Sequence, residues 1–328
     1  MFTRHRSAHP AHGLALALVS AALILGGCSR GGAVAAGDPP VLRVASQKGA
    51  TKALMLASHT LDGAPYKVEW SEFAAAQTLL EAISAGAVDV GGAGDAPFLF
   101  AYANNPKLKV VQAYLSGSNG SGVAVVVRKG SPIRTAADLR GRKIATGKGS
   151  IGHYLLLRVM QRAGLKPSDV QMVYLAPGDA KAALSSGAVD AWATWTPFTS
   201  METTQGGRVV ADGAGLMNSY GFLASSDASI KAKRAELADF LQRLTKAQDW
   251  ERGHQTEFAA ALSKDTGLPP PVALDMVHRY LPKTVAMTPA LAQEEKSVLQ
   301  LFVDAGVIAA LPPIDGAFDT SLNKPAGQ

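Results

Sequence analysis

Two stretches of the chain repeat one phrase: "SAGAVDVGGAGDAPF" at residues 84–98 and "SSGAVDAWATWTPF" at residues 185–198. The likeness extends upstream, to "LRVASQKGATKALML" from Leu42 and "RKIATGKGSIGHYLLL" from Arg142. Each upstream stretch is a short apolar strand, a Lys-Gly turn and an apolar pattern of helical period. Two copies of this length are too few for a solenoid, so they predict two similar α/β lobes.

Strands and helices are predicted to alternate within each lobe. In the first lobe the strands are 42–45, 67–72 and 88–91, and the helices are 50–59 and 74–85. In the second lobe the strands are 143–146, 170–175 and 189–193, and the helices are 150–161 and 179–186. This alternation favours a mostly parallel sheet with helices on both faces.

The connections between the copies predict a discontinuous first domain. Apolar strands are expected at 110–115 and 123–128 between the lobes, and "RVVADG" and "SYGFLAS" are further strand candidates. From Ser229 onward the pattern is helical. A single copy of each connecting strand indicates two crossings, with lobe 1 formed by 41–122 and 222–328 and lobe 2 by 123–221.

The N-terminus has the features of an exported lipoprotein. Arg4 and Arg6 precede an apolar run at 14–25 that is too short to span a bilayer, and the run ends in "LGGC". Residues 1–27 are therefore predicted to be a signal peptide, Cys28 a lipidated residue, and 28–40 a linker. A plain secretory signal with a chance cysteine is the alternative. The expected location is the periplasm or cell surface, with the lipid holding the protein at the membrane.

The charge and the cysteine content of the chain exclude several classes of function. The formal net charge of +6 falls to +4 when the two leader arginines are removed, which suits an anionic ligand. The sequence has no basic block of the kind that binds nucleic acid. Its single cysteine excludes thiol catalysis, zinc–thiolate sites and disulfides from the mature chain, and the common nucleotide-binding, hydrolase and metalloprotease motifs are absent. We expect a monomeric binding protein without metal or cofactor.

Candidate ligand contacts lie where strands lead into helices. In open α/β sheets, ligands bind at the carboxyl ends of strands, where free helix amides attract anions. Gly49 and Gly149 would let the backbone approach a ligand, and Ser150 is a candidate helix cap. Ordinary turns are the alternative. The predicted contacts in these two turns are Gln47, Lys48, Gly49 and Ala50, and Lys148, Gly149, Ser150 and Ile151.

The repeated phrases supply the other candidate contacts. In the first copy Gly94, Asp95 and Ala96 would offer main-chain amides to an anionic head, with Asp95 as a possible N-cap. In the second copy Trp192 and Trp195 would form an aromatic wall for an apolar tail. The alternative is that these tryptophans belong to the core.

Three other residues of the copies have weaker links to a ligand. Asp89 and Asp190 are predicted to bond the neighbouring loop rather than a ligand. His153, in the first turn of its helix, either donates to the anion or is only solvated.

These motifs resemble the substrate-binding proteins of bacterial ABC importers for aliphatic sulfonates, taurine and nitrate. The resemblance runs from Leu42 to Phe318, and "SQKGA", "LLEAISAGAVDVGGAGDAPF", "TGKGSIGHYLLLR", "VYLAPGDAKAALSSGAVDAWATWTPF" and "RVVADG" are most similar to the aliphatic sulfonate branch. It implies the type II periplasmic-binding-protein fold, with two lobes, a two-strand hinge and a cleft that closes on ligand. It also implies an anion held near 47–50, 94–96 and 148–151, aromatic contacts at Trp192 and Trp195, and an ABC permease as partner.

Two departures from the family pattern leave the ligand open. Thr196 stands where the sulfonate branch commonly has an acid, and "SGSNGSG" at 116–122, which includes the candidate contact Asn119, differs from the usual form. Both are expected to face the cleft. Taurine, nitrate or a heterocyclic metabolite are alternative ligands. An enzyme on the same fold is a further alternative, although the thiamine-pyrimidine synthases depend on a cysteine-rich motif that this chain lacks.

Overall fold

The computed structural model of the protein describes residues 38–48 and 50–322. The predicted signal peptide, Cys28, most of the linker and Gly49 lie outside these residues. The strands are β1 (Val41–Gln47), β2 (Lys67–Phe73), β3 (Val90–Gly94), β4 (Leu108–Leu115), β5 (Val123–Val127), β6 (Lys143–Thr146), β7 (Gln171–Tyr174), β8 (Ala191–Trp195), β9 (Arg208–Asp212), β10 (Tyr220–Ser226) and β11 (Lys283–Val285). The helices are α1 (Ala50–Ala57), α2 (Ala76–Ser84), α3 (Asp95–Asn104), α4 (Ile151–Arg162), α5 (Pro177–Ser186), α6 (Phe198–Thr204), α7 (Asp227–Ala232), α8 (Arg234–Glu251), α9 (Gln255–Thr266), α10 (Pro270–Tyr280) and α11 (Pro289–Asp304).

The strands form two mixed sheets. The first has the order β11-β4-β10-β3-β1-β2 and the second β7-β6-β8-β5-β9. In both sheets the strands of the repeated unit are parallel, and the strands beyond them are antiparallel. The predicted α/β class with two similar lobes and mixed sheets is confirmed, but the sheets are not mostly parallel, because four strand pairs are parallel and five are antiparallel.

Corresponding strands of the two copies pair in the same way. Ala45 of β1 lies opposite Gly91 of β3, and Ala145 of β6 lies opposite Trp192 of β8. The position that is a glycine in the first copy is therefore a tryptophan in the second.

The two aspartates of the copies bond the neighbouring strand, as predicted. Asp89 accepts a hydrogen bond from the Arg43 amide at 2.8 Å, and Asp190 accepts one from the Lys143 amide at 2.9 Å. In return, the Asp89 amide donates to the Arg43 carbonyl, and the Asp190 amide donates to the Lys143 carbonyl. This reciprocal pair of hydrogen bonds fixes the register of β3 against β1 in the first sheet and of β8 against β6 in the second.

Two segments, 116–122 and 213–219, carry the chain between the sheets. They run side by side: the Ser116 amide donates to the Ser219 carbonyl at 2.9 Å, and a Cβ on Gly120 would overlap the Gly213 carbonyl. The apolar strands expected at 110–115 and 123–128 belong one to each sheet, and the chain crosses between the sheets through the segment that joins them. The predicted lobe boundary at residue 222 falls inside β10, which pairs with the first sheet.

Helices cover both faces of the first sheet. Leu42 and Val44 of β1 alternate with Ala45, so they face a core shared with α1, α8, α9 and α10. The opposite face packs on α2, α3 and α11, and this core continues into the second lobe through α4. Phe302 of α11 contacts Phe100 of α3 and His153 of α4, which joins the two lobes. Among residues 38–48 and 50–322, no helix is long and apolar enough to cross a membrane.

Candidate functional site

A cavity of about 200 Å³ lies between the two lobes. It is lined from both lobes by the carboxyl ends of strands and the starts of helices, which is where the sequence predicted the ligand. Seven predicted contacts line it: Gln47, Lys48, Ala50, Gly94, Ser150, Ile151 and Trp195. Gly49 lies outside the described residues.

The first lobe presents two strand–helix junctions to the cavity. Lys48 follows β1 with a φ of 52°, a left-handed conformation, and its amide donates to the Phe73 carbonyl at 3.1 Å. Gly94 ends β3 and is the N-cap of α3. A Cβ on Gly94 would lie 3.7 Å from Cδ1 of Ile151, so this junction faces the start of α4 in the other lobe.

The second lobe presents the start of α4. Ser150 is its N-cap, and the Ser150 hydroxyl accepts from the His153 amide at 3.1 Å, as predicted. Gly149 has a φ of 70°, and its amide donates to Nδ1 of His153 at 3.1 Å. That amide is therefore occupied within the protein, and neither Gly149 nor Lys148 lines the cavity.

His153 is a buried part of the turn and is not solvated. The side chain is fully buried, and burial, together with the positive charge of Lys148, lowers its pKa to about 4. Nδ1 accepts the Gly149 bond, which requires a neutral ring. His153 is thus uncharged at physiological pH and holds the turn in shape.

The two tryptophans of β8 lie in different environments. Trp195 lines the cavity and meets the ring of Phe198 edge-on, with centroids 5.8 Å apart. Trp192 is 2% exposed, packs in the core of the second lobe and does not line the cavity. Residues three apart on a strand point to opposite faces, so the pair does not form one wall.

Asp95, Ala96 and Asn119 do not line the cavity. Ala96 is fully buried, and Asp95 is the first residue of α3 rather than its N-cap. Asp95 and Asn119 line a second cavity of about 300 Å³, together with Glu294 and Glu295 of α11. Burial, reinforced by the charge of Glu294, raises the pKa of Asp95 to about 7. Asp95 and Asn119 therefore belong to a cavity other than the one that holds the seven predicted contacts.

Both departures from the family pattern contribute to the cavity. Ser116, Ser118 and Gly122 line it from the first crossing segment, and Thr196 lines it after β8. The Thr196 hydroxyl donates to the Gly122 carbonyl at 3.0 Å. A threonine at this position therefore bonds the crossing segment.

Several lining residues were not predicted from the sequence. Gln77 begins α2, and Tyr114 and Tyr220 lie at the ends of β4 and β10. The signal that could have identified these three residues as ligand contacts was their position near the end of a helix or strand. A further set comes from α8, α9 and α10, where no motif in the sequence indicated a ligand.

The lobes contact each other on both sides of the cavity. Nε2 of Gln77 donates to the Lys148 carbonyl at 3.3 Å, and the Ser200 hydroxyl donates to the Asp275 carboxylate at 2.5 Å. The Lys48 ammonium lies 5.4 Å from the centroid of the Phe198 ring. The cleft is closed, with one lysine charge in its lining from the first lobe.

Comparisons with known proteins agree with this geometry. A family model described as NMT1/THI5 like matches residues 67–258. A putative aliphatic sulfonates-binding protein of Escherichia coli strain K12 is 37% identical over 252 residues, covering 76% of this chain and 78% of the relative.

Two solved structures are similar over most of the chain. The periplasmic aliphatic sulphonate binding protein SsuA of Escherichia coli is 33% identical with a TM-score of 0.75, covering 85% of this chain and 92% of that one. The alkanesulfonate-binding protein SsuA of Xanthomonas axonopodis pv. citri, bound to MOPS, is 32% identical with a TM-score of 0.79, covering 87% of this chain and all of that one.

Proposed function

We propose, since the chain belongs to the NMT1/THI5-like family, that it is the extracytoplasmic solute-binding protein of an ABC importer and that it captures an organic sulfonate. The relatives described above are binding proteins for aliphatic sulfonates, not enzymes, which supports a receptor without catalysis. The observation that carries the proposal is the cavity shared by two similar lobes, with three helix starts and Lys48 on its walls.

The sulfonate head lies against the starts of α1, α3 and α4. The first amides of a helix have no partner within the helix, and the helix dipole favours a negative charge there. Ala50, Gly94 and Ile151 line the cavity at these three points. Lys48 supplies a full positive charge nearby, so the anion is neutralised without a metal.

The apolar tail contacts Trp195. An indole at the wall of a cavity contributes a large apolar surface, which suits an alkyl chain. Nitrate and sulfate have no apolar part that could contact it. The serines of the first crossing segment and Thr196 supply further polar contacts around the head.

Ligand-induced stabilisation tests this function. For the chain lacking residues 1–28, hexanesulfonate at a hundred times its dissociation constant is expected to add about 2.7 kcal/mol to the free energy of unfolding. The measurement is a thermal-shift titration with methanesulfonate, hexanesulfonate, taurine, nitrate and sulfate. Stabilisation by nitrate or sulfate without any by the alkanesulfonates would contradict a sulfonate receptor.

Trp195→Ala adds a test of the tail contact within the same titration. The variant loses roughly 1–3 kcal/mol of binding free energy for hexanesulfonate and much less for methanesulfonate, because only the longer tail reaches the indole. Trp250→Ala is the matched control, since Trp250 stacks on His254 and does not line the cavity. Equal losses for both ligands in Trp195→Ala would rule out a tail contact at this indole.

Cys28 carries the lipid that holds the protein outside the cytoplasmic membrane. The support is the sequence "LILGGC" after a short basic and apolar leader. Cys28→Ala is expected to move the protein from the membrane fraction to the soluble fraction, and Ser29→Ala is expected to leave it at the membrane. Metabolic labelling with a fatty acid, followed by fractionation, measures both. A Cys28→Ala protein that is still labelled and membrane-bound would refute the anchor.

A further inference from the structure

The cavity continues from the cleft into the helical layer of the first lobe. Its inner part, which we call the inner chamber, lies between α1, α8, α9 and α10. The apolar side chains of the chamber are Leu54, Leu244, Phe258, Leu262, Met276 and Val277. They belong to the core on that face of the first sheet or pack against it, so the chamber is an opening in the core rather than a surface groove.

One acid of α8 lines this apolar chamber without a complete set of partners. Glu251 is 1% exposed, and its Oε1 has no hydrogen-bond partner among residues 38–48 and 50–322. A buried polar atom that lacks a partner costs free energy, and natural proteins leave few such atoms. The Oε1 atom therefore has a hydrogen-bonding capacity that the described residues do not use.

Neighbouring cations do not bond this oxygen. Arg252 donates to the Pro282 carbonyl at 2.7 Å, and Arg279 donates to the Asp275 carboxylate at 2.8 Å. Burial raises the pKa of Glu251 to about 8, although the charge of Arg252 acts to lower it. At neutral pH the carboxyl group is mostly protonated, and a cation placed beside it would favour its ionised form.

The charges of the cavity are divided between its two parts. Lys48 and the helix starts lie in the cleft, and Glu251 lies in the inner chamber. Arg279 of α10 also lines the cavity, but its charge is paired with the Asp275 carboxylate. Electrostatic complementarity then favours a ligand that is negative at one end, apolar in the middle and positive at the other. A simple alkanesulfonate matches the first two of these properties only.

We propose that the inner chamber binds the far end of the ligand and that Glu251 binds an amino group there, so that the preferred ligands are sulfonates whose alkyl chain ends in an amine. This inference rests on the sulfonate-receptor function proposed above. Because the chamber lies behind the cleft, the alkyl chain must be longer than the two carbons of taurine. Glu251 is in this way a specificity-determining residue for the tail.

Paired ligand series test the proposal. The dissociation constants of ω-aminoalkanesulfonates of two to eight carbons are compared by calorimetry with those of methyl-terminated alkanesulfonates of equal length. The wild-type protein is expected to prefer the amine in the longer pairs, and Glu251→Gln to reduce that preference by about tenfold or more. Glu202→Gln is the matched control, because Glu202 is also a buried glutamate but does not line the cavity. An unchanged amine preference in Glu251→Gln would overturn the proposal.

Proton release gives a second readout that does not require the variant. Since an ammonium group ionises the protonated Glu251, binding of a long amine ligand to the wild-type protein at pH 7 is expected to release close to one proton. Calorimetry in two buffers of different ionisation enthalpy measures this number. Release of no proton, with no preference for the amine, would overturn the proposal even if Glu251→Gln did not fold.

The same series separates this inference from the function on which it rests. If methyl-terminated sulfonates bind and amines gain nothing, only the role of Glu251 is wrong. If no sulfonate of either series binds, the receptor function and the inner-chamber inference are both wrong.

Discussion

Replacing Gly149 with valine is expected to weaken the binding of every ligand about ten- to hundredfold, whatever its tail. A Cβ at Gly149, in the second lobe, would overlap the ring of Phe100, which belongs to α3 of the first lobe. Overpacking of such a contact costs about 1–3 kcal/mol, and here the cost falls on the closed arrangement of the lobes. Destabilising the closed form lowers the apparent affinity by the same factor for all ligands.

A glycine at the other end of the same helix provides the control. Gly164 follows α4 with a φ of 66°, close to the 70° of Gly149, but a Cβ there would meet nothing within 4 Å. Gly164→Val therefore carries similar backbone strain without the contact between lobes. We expect small-angle scattering to show a smaller radius of gyration on adding hexanesulfonate for wild type and Gly164→Val, and for Gly149→Val only at about ten- to hundredfold higher ligand concentration. Equal loss of affinity in both variants would show that backbone strain, not closure, is responsible.

The reason for this glycine differs from the one that the sequence suggested. The Lys-Gly turns of the two copies predicted glycines that let an anion approach the backbone. At Gly149 the close approach is real, but the approaching group is the Phe100 ring of the protein. A glycine in such a turn indicates that another group approaches the backbone closely, but it does not show whether that group belongs to a ligand or to the protein.

The repeated phrase was sufficient to predict much of the architecture. Because the copies share the same order of strand, Lys-Gly turn, helix and Gly-Ala-Val-Asp phrase, they predicted two sheets of the same kind, and the aspartate–amide pairs are common to both. The contrast between glycines and tryptophans has two separate explanations. Trp192 corresponds to Gly91 and fills the core of the second lobe, whereas Trp195 corresponds to Gly94, and these two residues both line the cavity.

The burial pattern explains why sequence patterning alone did not separate the tryptophans. In β8 four of five residues are buried, so no alternation of polar and apolar residues marks the face that meets the ligand. The inner chamber was still harder to predict from the sequence. Three of its four helices, α8, α9 and α10, lie about 200 residues beyond the first strand, and their apolar residues have the period of ordinary core helices. Only the unpartnered oxygen of Glu251 distinguishes that region, and hydrogen bonding is not visible in a sequence.

The two repeated aspartates allow a test of what a buried ion pair adds to the shared backbone bond. Within residues 38–48 and 50–322, the Asp190 carboxylate accepts a hydrogen bond from the Lys143 amide only. Asp89 is 1% exposed, and besides the Arg43 amide it accepts from the Arg43 guanidinium at 2.7 Å, the Lys233 ammonium at 2.6 Å and the Ser229 hydroxyl at 3.3 Å. It therefore joins β1 and β3 to the helices that begin the C-terminal part of the chain.

We expect Asp89→Ala to lower the free energy of unfolding by about 3 kcal/mol and Asp190→Ala by about 1 kcal/mol. The value for Asp89 is at the low end for a broken ion pair, since the side chains of Arg43 and Lys233 are 37% and 25% exposed and can reach water. Urea unfolding of the two variants measures the difference.

The pH dependence of the free energy of unfolding tests whether the ion pairs of Asp89 cause the difference between the two variants. Burial raises the pKa of Asp89, but hydrogen bonds from Arg43 and Lys233 outweigh burial and hold the pKa below its ordinary value of 3.8. The stabilisation is then present above pH 3.8 and is lost as the pH falls through the lower pKa of the folded protein. The gap between wild type and Asp89→Ala should accordingly narrow in strong acid. Equal destabilisation by the two variants at neutral pH would mean that the ion pairs add nothing to the backbone bond that both copies share.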